Sequence, residues 1–157
     1  MFGSLKTFVS SLTEDTRLEN RFESKESQLA TAALLIRVAT VESEMSKAKQ
    51  AKLHAVLQSC FRLDEPAVIR LIDAAAAADR NAIDLYHFTR LLNDALDDEG
   101  RRGIVQMMSE VVYADGNVSA SESNIVWRSA DLLGVSSRQR IELRQRIAAG
   151  RAAPAPV

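Results

Sequence analysis

The sequence predicts an all-α fold: a compact domain of seven or eight helices built from two pseudo-symmetric helix-turn-helix halves. Apolar residues recur at helical spacing throughout, and no segment sustains the alternation of a half-buried strand. Glycine and proline are sparse, at six and three, too few for a turn-rich β fold. The third observation is an internal repeat. Residues 38–49 (VATVESEMSKAK) set beneath 111–122 (VVYADGNVSASE) match Val38 to Val111, Glu42 to Asp115, Met45 to Val118 and Ser46 to Ser119. Each copy follows one apolar run and leads into another, so each reads as two helices joined by an acidic turn.

The elements follow in order. Phe2, Leu5, Phe8, Val9 and Leu12 form a short amphipathic helix. Its polar face lacks the basic cluster that holds peripheral helices on lipid, so docking on the domain is expected. Residues 13–27 mix both charges and read as a solvated connection. Residues 29–39 are apolar on nearly every side and predict a central buried helix. Leu53, Val56, Leu57, Cys60 and Phe61 share one face of the next helix. Asp64-Glu65-Pro66 then opens a helix with an acidic cap and a proline in the first turn. That helix carries Val68, Ile69, Leu71, Ile72 and the alanines 74–78, which permit close helix approach. Asn81 is expected to cap a further helix, with Asp84 in its first turn and Leu85, Phe88, Leu91, Leu92, Ala95 and Leu96 inward.

Asp97-Asp98-Glu99 suits a helix N-terminus, and the helix after it presents Ile104, Val105, Met107, Met108, Val111 and Val112. Beyond the second acidic turn, Val126, Ala130 and Leu133 share a face, and Gly134-Val135 is a helix stop. Ser136-Ser137-Arg138-Gln139 forms a capping box for a last helix running to about residue 149. The organisation is therefore 1–28 for the N-terminal helix and charged connection, 29–149 for the helical domain, and 150–157 for a flexible tail with Pro154 and Pro156.

Composition narrows the function classes. Apolar and charged fractions of 46% and 26% are globular values, and a net charge of −1 supplies no general pull towards nucleic acid or anionic membrane. The single cysteine, Cys60, cannot form an internal disulfide and reads as a buried, inert thiol. No run approaches a membrane span, and the N-terminus is too short and polar for a signal peptide, so a cytoplasmic protein without an integral membrane segment is expected. No Walker loop, dinucleotide fingerprint, HExxH or nucleophile elbow is present.

The block Leu85-Tyr86-His87-Phe88-Thr89-Arg90-Leu91-Leu92-Asn93, then Glu110-Val111-Val112-Tyr113-Ala114-Asp115-Gly116, then Glu122, resembles the tellurite-resistance TerB-like family. With the alanine- and leucine-rich helix of the first half, the resemblance covers about residues 29–147. It implies a compact all-helical domain with internal two-fold pseudo-symmetry, and acidic residues at the paired turns that bind a divalent cation such as Ca²⁺ or Mg²⁺. It carries over Asp115 and Glu122, with Glu110 one helical turn earlier. Glu42 is the first-half counterpart. There the pattern departs: Ser43 replaces the glycine, and Lys49 stands where Glu122 stands in the other copy. An ammonium is hostile to a cation site, so a site would lie at the second turn or be shared between the halves.

Two readings of the second turn stay open. Asp115, Asn117, Ser119 and Glu122 carry oxygens suited to a hard cation, although the spacing is not that of an EF-hand loop. The same letters also spell a helix stop at Asp115-Gly116 followed by a capping box, Ser119-Ala120-Ser121-Glu122. His54 and His87 have no partner at zinc-ligand spacing. Tyr86, Tyr113 and Trp127 read as core or core-edge aromatics. Arg138, Arg140, Arg144, Arg146 and Arg151 read as a solvated helix face rather than a nucleic-acid surface. The expectation is a non-enzymatic TerB-like module that docks a protein partner or binds a divalent cation in a tellurite-type stress response. The alternative is a purely structural scaffold with no metal site; the oligomeric state stays open.

Overall fold

The computed structural model describes residues 24–42, 44–81 and 85–152. The expected helix at residues 2–12, Asp84 and the proline-containing end of the tail lie outside them. Among the described residues seven helices follow in chain order: α1 (Lys25–Ala39), α2 (Lys47–Phe61), α3 (Glu65–Asn81), α4 (Tyr86–Ala95), α5 (Asp98–Val112), α6 (Ala120–Leu132) and α7 (Ser137–Ala152). All regular structure among the described residues is helical, as the apolar periodicity predicts.

Two helices form the centre. α1 starts at Ser24, whose hydroxyl accepts the Ser27 N–H, and it buries Ala30, Ala32, Ala33, Leu34, Leu35 and Val38 almost completely. Its small residues let α3 and α4 approach closely, and α5 packs on it as well. Arg37 donates to Asp79 of α3 at 2.8 Å and ties the two helices at their polar edge. α5 starts at Asp97, whose carboxylate accepts the Gly100 N–H at 2.9 Å, and it buries all six apolar residues of its predicted stripe. Gly100 is tightly packed: a Cβ there would lie 3.1 Å from the Leu96 side chain, which would have to give by a few tenths of an ångström.

The outer helices obey their caps. Asp64 accepts the Ala67 N–H and opens α3. α6 ends at Gly134, whose φ of 73° lies in the left-handed region. The Val135 N–H there reaches back to the Ala130 carbonyl, and Val135 is buried. Ser136 and Gln139 form the predicted box at the start of α7.

Four expectations need correction. Asn81 does not cap α4. It is the last residue of α3, and Leu85 precedes α4 with no side-chain cap bond. The polyalanine stretch keeps α3 helical through to Asn81, since alanine gives the chain no reason to stop. Cys60 is exposed, because its neighbour Phe61 takes the inward position on α2. Tyr86 and Trp127 are 54% and 44% exposed, so neither is a core aromatic, whereas Tyr113 does pack against the core. The last helix also runs a few residues past its expected end, to Ala152.

Two glycine substitutions separate backbone strain from helix propensity. A Cβ at Gly134 or Gly103 meets no atom within 4 Å, but only Gly134 has positive φ. Gly134→Ala should cost about 1–2 kcal/mol, and Gly103→Ala, inside α5, should add about 0.5–1 kcal/mol of stability. Urea unfolding of the two variants checks both signs.

Candidate functional site at the junction of the acidic turns

The two turns meet in space. Ser46 and Ser119 sit in extended conformation before α2 and α6, and each hydroxyl accepts the N–H of the third helical residue, Lys49 (3.2 Å) and Glu122 (3.0 Å). Glu122 closes the capping box on its own helix, because one carboxylate oxygen accepts the Ser119 N–H at 3.1 Å. Its other oxygen accepts a hydrogen bond from the Lys49 ammonium. The Lys49 and Glu122 side chains are only 9% and 6% exposed, so this is a buried ion pair joining residues 73 positions apart in sequence.

Asp115 completes the cluster. The Ser46 hydroxyl donates to its Oδ2 at 3.1 Å, the Lys49 Nζ lies 3.9 Å from the same oxygen, and the Asn117 N–H donates to Oδ1 at 3.0 Å. The Asn117 N–H is the main cause holding the Asp115 pKa below the usual carboxylate value. Partial burial opposes it, and the Ser46 hydroxyl and Lys49 charge reinforce it. Gly116, at φ 82°, makes the turn that aims this N–H back at the carboxylate.

Of the four acidic residues picked out by sequence, the structure brings Asp115 and Glu122 together. Glu42 is exposed near the start of the first turn. Glu110 lines a different feature, a groove of about 550 Å³ along α5, with Lys52 and Cys60 of α2 and Gln106 and Met107 of α5. Lys52, Gln106 and Glu110 also border a second hollow of about 370 Å³ that reaches Tyr113, Leu143 and Arg146. Although Cys60 is exposed, partial desolvation by the groove wall, and then the Glu110 charge, push its thiol pKa up, the wrong direction for a thiolate nucleophile. His54 pairs with Glu65 at 2.8 Å on the surface. Among the described residues, no three His, Cys, Asp or Glu side chains gather as metal ligands would.

Sequence reasoning missed Ser46 and Lys49 as partners of the acids. A signal was present: matched positions 49 and 122 carry opposite charges, as two residues do when they face each other across a junction.

Fold and site together define a class, an all-helical domain whose two helix-initiating turns are clasped by a buried charge pair. The profile of the tellurite resistance protein TerB matches residues 28–145, and the chain belongs to that family. No curated protein and no solved structure gave a match. Among the described residues, no helix is long and apolar enough to cross a membrane.

Glu122→Gln keeps the volume and the capping acceptor but strips the charge from Lys49's partner. It should cost about 3–5 kcal/mol, the range for breaking a buried pair, and pairing it with Lys49→Met should recover part of that loss. Equilibrium unfolding of the three variants measures the coupling. Because the folded-state pKa of Asp115 is depressed, its contribution is present above the ordinary aspartate pKa and is lost as pH falls through the folded value. Asp115→Asn should therefore flatten the acid side of a stability–pH curve and leave the alkaline side unchanged.

Proposed function

We propose that the chain is a non-enzymatic helical docking domain whose junction holds its own cation, the Lys49 ammonium, and needs no divalent ion. The observation that carries this reading is the placement of Lys49 Nζ between Glu122 and Asp115. The donor set there does not suit Ca²⁺ or Mg²⁺. A hard cation calls for six or more oxygens, whereas one Glu122 oxygen is committed to Lys49 and the other to the Ser119 N–H. Asp115 is bonded at both of its oxygens. A divalent ion would have to displace an ammonium from a seat it shares with two carboxylates.

The same engagement supports a non-enzymatic role. A general acid at neutral pH needs a raised carboxyl pKa, and that of Asp115 moves the other way. The groove along α5 favours docking over a bare scaffold, since concave surfaces with an apolar floor and a few polar groups are where ligands seat. Membership of the TerB family supports a setting in tellurite-type stress, and a protein partner follows from the docking reading.

Titration calorimetry of the chelator-stripped protein with Ca²⁺, Mg²⁺, Mn²⁺ and Zn²⁺ tests the proposal. The expected result is no saturable heat for the native chain. Lys49→Glu should be less stable than wild type in chelator and should regain stability with millimolar Ca²⁺ or Mg²⁺, because three carboxylates would then converge without a counter-charge. Saturable binding by the native chain that disappears in Asp115→Ala would overturn the internal-cation reading.

A further inference from the structure

The edge between α6 and α7 carries a patch that the clasp does not use. Trp127, the only tryptophan in the chain, projects from α6 with 44% of its surface exposed. The Arg140 guanidinium of α7 lies over its ring, 6.0 Å from the centroid, within the range of a cation–π contact. Arg144 stands one helical turn further along α7, and Ile141, 40% exposed, lies between them in sequence. The one carboxylate of α7, Glu142, pairs with Arg138 at 3.4 Å, and on α6 the exposed Arg128 and Asp131 add one charge of each sign near Trp127 in sequence. The edge is thus two cations one turn apart beside a half-exposed indole. Burial, and then the repulsion of Arg144, lower the Arg140 pKa.

We infer that this edge is a docking surface for an acidic segment of a partner protein, which sets carboxylates one helical turn apart against Arg140 and Arg144 and an apolar side chain against Trp127 and Ile141. The inference rests on the docking function proposed above and adds to it a second surface, outside the α5 groove, with its partner chemistry. Charge complementarity fixes the sign of the partner. Tryptophan and arginine are the residues that most often dominate the energetics of protein interfaces, and the ring already orients the Arg140 guanidinium. A nucleic acid fits less well. It calls for a track of cations along successive phosphates, while the patch offers two, on a chain of net charge −1. A membrane surface calls for a broad apolar stripe with a polybasic rim, while the patch offers one indole and one isoleucine.

The test is selection of a displayed library of random 16-residue peptides on the full chain, followed by titration of the enriched peptides while Trp127 emission is read. The enriched peptides should be acidic and should shift the emission. The double variant Arg140→Glu/Arg144→Glu should weaken their binding at least about tenfold, or about 1.4 kcal/mol, while still unfolding in one cooperative transition. Enriched peptides that bind the double variant equally well would overturn this surface while leaving the docking function standing. A library that yields no binder would overturn the docking function itself. Tighter binding of a dT15 oligonucleotide or of phosphatidylserine vesicles than of the peptides, read by the same indole, would overturn the assignment to a protein partner.

Discussion

The buried contact between Lys49 and Glu122 sets the geometry on which both turns depend, and its logic is electrostatic. A lysine in the first turn of a helix stands at the positive end of the macrodipole, an unfavourable place for a cation. The first turn of α2 carries no acidic residue to compensate. Glu122 supplies the compensation from another helix, and it stands where a carboxylate is welcome, in the first turn of α6. One side chain therefore stabilises two helix starts, its own through the capping box and that of α2 through the ammonium. Neither charge could be buried alone, because an isolated ion loses several kcal/mol of hydration.

The clasp can form only because the core brings the two turns to the same place. α1 and α5 precede the turns, and both are buried deep, down to Val38 near the end of one and Val111 near the end of the other. Met45 and Val118, the matched apolar residues just before the two serine caps, both pack against the core. Each turn is thus held on both sides by apolar burial before any polar contact is made. The hydrophobic residues settle where the turns lie, and the Ser46–Asp115 and Lys49–Glu122 contacts select one arrangement of α2 against α6.

Much of the fold was legible because its signals are local. Serine and aspartate caps, the Gly134-Val135 stop and the stripe on α5 each depend on residues within a turn or two of one another. Asn81 misled for the opposite reason: a good cap residue also serves as the last residue of an alanine-rich helix, and only the position of α4 decides between them. Trp127 and Cys60 misled because helical periodicity tells which residues share a face and not which face is covered. The acidic turn was legible as a motif, but its meeting with Lys49 was not, since 73 residues intervene. The opposite charges at the matched positions 49 and 122 were the one readable trace of that contact.

The exchange of a carboxylate for an ammonium at position 49 has a functional side. A turn held by a divalent ion is ordered in proportion to the concentration of that ion, and binding energy then becomes folding energy. A turn held by a covalently attached ammonium is ordered at any ion concentration, because the cation can never leave by diffusion. Under the function proposed for this chain, the angle between α2 and α6 is a fixed property rather than a signal. Discrimination among partners then falls to exposed side chains that the clasp leaves free, and these include the Trp127–Arg140–Arg144 edge. That edge carries α6, the helix whose first turn Glu122 pins, so rigidity at the junction lowers the ordering cost that a partner would otherwise meet on binding.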